Sequence, residues 1–158
     1  MKMHRLVMIG LAVLTAAGCH GTVTKERKAQ QSDAVVDMLH RGLIELNGNI
    51  DELKDHIAHL QHMPPVADPR VQELLGLDIV AWQLHLQQWV AQRDHLLYSL
   101  ASIQRVQAAP QDKATIGREW SNRRADFIKA MGELKIHRHK FEQKRIETES
   151  QVLEQYFK

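Results

Sequence analysis

One cysteine, Cys19, is all this chain contains. That excludes intrachain disulfides, Cys-x-x-Cys redox centres and cysteine-rich zinc sites, each of which needs more than one thiol. Proline is equally scarce: the four prolines lie in the runs Met63-Pro64-Pro65-Val66-Ala67-Asp68-Pro69 and Ala108-Ala109-Pro110-Gln111-Asp112. The segments between them carry no helix breaker of that kind. Aromatic residues make up 5% of the chain, so any core must be mainly aliphatic. Valine and isoleucine recur at spacings of three and four and not two, which argues against strands. There is no nucleophile elbow, glycine-rich phosphate loop or His-Glu-x-x-His, and these absences point away from an enzyme. The longest apolar run, the nine residues Leu6 to Leu14, is too short for a bilayer core of about 30 Å at about 1.5 Å per residue.

That run follows Lys2 and Arg5 and leads through small residues into Thr15-Ala16-Ala17-Gly18-Cys19, the layout of a secretory leader. Ala16-Ala17-Gly18-Cys19 resembles the lipobox of bacterial lipoprotein precursors, with Ala16 where leucine is usual. The resemblance covers roughly the first twenty residues. It implies a signal peptide over 1–18, cleavage between Gly18 and Cys19, and an anchor and short linker over 19–23. Cys19 would carry a thioether-linked diacylglycerol and a palmitate-class chain on its new amino group. These acyl chains are the only non-protein groups expected, and no cofactor or metal is. Acyl burial contributes about 0.8 kcal/mol per methylene, so two or three chains hold a protein on a membrane lastingly. His20 stands where aspartate would favour inner-membrane retention; the resemblance therefore implies an outer-membrane protein facing the periplasm, with membrane lipid as one partner.

Loss of Lys2 and Arg5 with the leader would leave 19 basic against 19 acidic residues. A neutral mature chain provides no electrostatic case for a nucleic-acid partner. Its length suits a single domain.

Met63 and Ala109, each preceding a proline, mark helix ends. Asp68 before Pro69 reads as an N-cap, and Asp112 can cap the third segment in the same way. The expectation is all-α, with helices at about 24–62, 69–107 and 113–157. In the first, Val36, Leu43, Ile50 and Ile57 occupy a positions and Leu39, Leu46, Leu53 and Leu60 d positions of four heptads. The seam keeps register across Asn47-Gly48-Asn49, so the helix should be continuous there, weakened by about 1 kcal/mol at Gly48. The second carries a wider stripe, including Leu75, Ile79, Trp82, Leu86, Trp89, Leu96, Leu100 and Ile103, which demands more than one neighbour. In the third, Ile116, Trp120, Phe127, Met131, Leu134 and Phe141 are regular before a charged end that should fray. Short connections then predict an elongated antiparallel three-helix bundle over 24–158, with coiled-coil-like seams.

Some residues invite a chemical reading. His56, His59 and His62 follow one another at spacings of three, and His56 and His59 could share a divalent metal. His62 lies about 240° round the helix from His56 and cannot join them. The plainer expectation is that all are solvated, and that His85, between Trp82 and Trp89, is packed or hydrogen-bonded. The run Lys135, Arg138, Lys140, Lys144 and Arg145 reads as a solvated surface, and the two tryptophans read as core.

The leading expectation is thus a non-enzymatic, outer-membrane-anchored lipoprotein serving as a structural, adaptor or assembly factor, with an envelope protein as partner. The alternative is a periplasmic metal-binding or metal-sensing lipoprotein. The first heptad seam also allows a parallel homodimer. Finally, Tyr156-Phe157-Lys158 resembles the Tyr-Arg-Lys end of the murein lipoproteins, which implies Lys158 as a point of attachment to peptidoglycan.

Overall fold

A computed structural model describes residues 25–157, with side chains from residue 32 onward except Tyr156. Gly18, Cys19 and Lys158 therefore lie outside the described residues. Three helices account for nearly all of the rest: α1, Lys25–Gln61; α2, Pro69–Ala108; and α3, Lys113–Tyr156. The chain is all-α, and no strand occurs among the described residues. At about 1.5 Å per residue the individual helices are about 55 to 66 Å long. The chain divides into two compact units, Met1–Glu45 and Leu46–Lys158. The second holds the last four turns of α1 with all of α2 and α3 packed as a helical bundle.

α1 runs unbroken through Asn47-Gly48-Asn49, as the seam predicts, and no glycine among the described residues takes a positive φ. Its buried side chains are Leu43, Leu46, Ile50, Leu53 and Ile57, while Val36, Leu39 and Leu60 are half-buried. Every a and d position of the four heptads is thus at least partly covered. Ile50, only 1% exposed, is the most deeply buried of them.

The first connection is set by its prolines. The Asp68 carboxylate accepts the Arg70 backbone N–H at 2.9 Å, with Pro69 opening α2. The Val66 N–H donates to Gln72 Oε1 at 2.9 Å, which ties the loop back onto the helix. The second connection departs from expectation. Pro110–Asp112 forms a 3-10 turn, its Asp112 N–H donating to Ala109 O at 3.0 Å. Asp112 consequently sits at φ −90°, ψ 4° and makes no side-chain cap. An N-cap needs extended backbone, and the turn has already taken that residue.

α2 and α3 run antiparallel, pinned at successive levels by Arg105–Glu119 at 2.8 Å, Trp120 Nε1 to Ser99 Oγ at 3.0 Å, and Arg145–Asp78 at 3.2 Å. Lys144 also reaches Glu73 at 3.3 Å. Most of α2 between Leu74 and Ser99 is at least half-buried, as a helix with more than one neighbour must be. The inward stripe of α3 does not fade at Phe141. It runs through Arg124, Phe127, Met131, Leu134 and Arg138 and continues past Phe141 through Arg145, Thr148 and Val152, all half-buried or buried at three- and four-residue spacings. Arginine stems cover apolar surface while the guanidinium finds a polar partner, so hydropathy underestimates the stripe. The helix accordingly persists to Tyr156.

Candidate functional site

Four rings form a ladder around the middle of the second unit. His56 meets Trp82 edge-on, with centroids 5.1 Å apart. Trp82 meets His85 at 6.0 Å, and His85 lies 4.7 Å from Trp89. Residues 82, 85 and 89 share one face of α2 because they are three, four and seven apart. α1, running the other way, presents His56 to them.

Arg138 of α3 closes the ladder from the other side. Its Nη1 donates to His85 Nδ1 at 3.1 Å and to Gln88 Oε1 at 3.2 Å, while Nε pairs with Glu142 at 3.1 Å. A guanidinium can only donate, so His85 Nδ1 is the acceptor and the ring carries its proton on Nε2. Burial, and then the Arg138 charge, hold the His85 imidazole below its ordinary value, with Glu142 opposing. The neutral form is favoured, which suits its acceptor role. Gln88, 6% exposed, would otherwise bury an amide without a donor. The sequence reading of Arg138 and Arg145 as solvated surface is thus overturned: both sit on the α3 face turned towards α2, where His85, Gln88 and Asp78 supply polar partners.

A second cluster lies one level along. His95 stacks on Phe127 at 4.4 Å with the planes 2° apart, and Trp120 is 6.0 Å away. Arg124 reaches over the Trp120 ring at 5.4 Å, and Arg123 over Tyr98 at 5.8 Å, both within cation–π range. His95 Nδ1 is buried without a hydrogen-bond partner among the described residues. Burial, with Arg124 and Arg123 adding to it, lowers the pKa of this imidazole as well.

Of the histidines singled out for metal, His56 belongs to the ring ladder through Trp82, and none of the three is buried. His56, His59 and His62 are exposed, and the His62 Nδ1–H donates to Ala58 O at 2.6 Å. Among the described residues no three His, Cys, Asp or Glu side chains converge as a metal site would require.

Trp82 corrects the expectation of a core tryptophan, being 40% exposed. It opens onto a cleft of about 270 Å³ lined by Asn49, Glu52, Leu53, His56, Trp82 and Trp89. The spacing of Trp82, His85 and Trp89 was visible in the sequence. Their facing of His56, and the arrival of Arg138 from some fifty positions away, were not.

Comparison with protein families, curated proteins and solved structures found no match to this chain. Among the described residues, no helix is long and apolar enough to cross a membrane.

Proposed function

We propose that this chain is a lipid-anchored envelope protein without catalytic activity, held on the outer membrane through Cys19 and acting in the periplasm as a structural, adaptor or assembly factor. The observation that carries the reading is the basic-then-apolar leader ending in Ala16-Ala17-Gly18-Cys19, whose cysteine is the sole thiol. An anchor at one end and helices in the remainder suit a protein that works by contact. Support for such contacts comes from Ile128, Ile146 and Leu153, large apolar side chains left exposed along α3, and from the exposed Phe157 at its C-cap. At 100° per residue the first three fall within a narrow stripe of that helix, where a partner helix could lie.

The experiment is fatty-acid labelling with envelope fractionation of the wild type and Cys19→Ser. Wild type should incorporate label and sediment with the outer membrane, and the variant should take up none and accumulate uncleaved. A processed Cys19→Ser protein that still sediments with the outer membrane would defeat the assignment. For the adaptor role, a photocrosslinking residue at Ile146 should capture an envelope protein in cells, whereas the same probe at buried Ile50 should capture none. Equal capture from both positions would count against a specific docking face.

A further inference from the structure

We propose that the cleft between the second half of α1 and the middle of α2 binds a small organic cation of the quaternary ammonium class. A large apolar group left exposed is an informative departure from the usual burial. Trp82 is such a group: it is 40% exposed, while Leu53 at the base of the same cleft is only 6% exposed. The cleft, about 270 Å³ and open to solvent, has room for a tetramethylammonium group and part of its hydration.

Its two walls differ in kind. On α2, Trp82 and Trp89 stand seven residues apart on one face, and no Asp, Glu, Lys or Arg occurs from Ile79 to Gln92. On α1, Asn49, Glu52 and His56 share a side, at spacings of three and four. Among the described residues neither the Asn49 amide nor the Glu52 carboxylate has a hydrogen-bond or ion-pair partner. From Leu46 to Gln61 the helix carries Asp51, Glu52 and Asp55 against Lys54 alone, and Lys54 is already paired with Asp51 at 3.1 Å. Arg138, which reaches His85, is matched by Glu142, and Arg93, one turn beyond Trp89, by Asp94. An indole attracts a cation through its electron-rich face, and a nearby free carboxylate adds a direct charge. Two tryptophans lining one cleft with the unpaired Glu52 carboxylate are therefore complementary to an alkylated ammonium group, and the charge selects it over a neutral molecule of the same shape.

The test uses the full chain in a non-ionic polyoxyethylene detergent, with the three indole N–H signals followed by NMR. Tetramethylammonium chloride should move the Trp82 and Trp89 signals saturably, with a dissociation constant on the order of millimolar, and leave Trp120 unmoved. Glu52→Gln should weaken binding, and Trp82→Leu, in a variant with unchanged circular dichroism, should weaken it by about 2- to 30-fold. Choline should bind like tetramethylammonium. If phosphatidylcholine vesicles also shift the two indoles, lipid headgroups reach the cleft; a response to soluble choline alone assigns it to free cations. The proposal is overturned if neither indole saturates, if 3,3-dimethyl-1-butanol or a neutral hexose binds as well as choline, or if Glu52→Gln leaves the affinity unchanged.

Discussion

Replacing Ile50 by alanine tests the fold at its most deeply covered point. Ile50 is 1% exposed, whereas Ile44 in the same helix is 72% exposed, so the pair compares one chemistry in two environments. The substitution removes three carbons. At about 0.8 kcal/mol each the transfer loss is about 2.4 kcal/mol, and incomplete collapse of the hole brings the expected cost at Ile50 to about 3–4 kcal/mol. At Ile44 almost nothing is uncovered, and a change within about 0.5 kcal/mol is expected. The assay is urea unfolding followed by far-ultraviolet circular dichroism, repeated over a wide range of protein concentration. A loss at Ile50 that does not depend on concentration is the signature of a seam completed within one chain. The reasoning is refuted if the two variants fall within about 1 kcal/mol of each other. It is also refuted if the Ile50→Ala deficit vanishes as concentration rises, because a second chain would then be completing the seam.

Acid should weaken the protein before its carboxylates titrate: folding holds His85 and His95 below their ordinary value of 6.5, so the unfolded chain binds protons first as pH falls through that value. The urea midpoint should be constant above it and decline towards pH of about 5, and a His85→Gln, His95→Phe double variant should decline less; an equal decline would exonerate both rings. Gly48→Ala should stabilise the protein by about 0.5–1 kcal/mol, since an added Cβ meets nothing within 4 Å and the backbone is already helical, and thermal melts that show no gain would contradict this. Arg138→Met keeps the apolar stem but strands Gln88 and frees His85 Nδ1, for an expected loss of about 1–3 kcal/mol; the same variant should move the His85 titration upward in NMR, and an unmoved titration would remove Arg138 as a cause of its lowering.

The heptads of α1 were readable from residue order because each core place is filled by an aliphatic side chain, and period alone reports that. The proline clusters likewise marked the helix limits, and Asp68 with Pro69 announced a cap that the Asp68 carboxylate then made. Tertiary structure decided what period cannot express. Hydropathy reads arginine as surface, yet the antiparallel register of α2 and α3 sets Arg138 against His85 and Gln88, and Arg145 against Asp78. That outcome depends on partners fifty or more positions away. It also reads tryptophan as core, yet Trp82 remains partly open because its side of the contact between α1 and α2 is occupied by Asn49, Glu52 and His56. A sequence states which face of a helix will be buried; which side chains meet there, and which of their partners are left free, follows only from how the neighbouring helices are aligned.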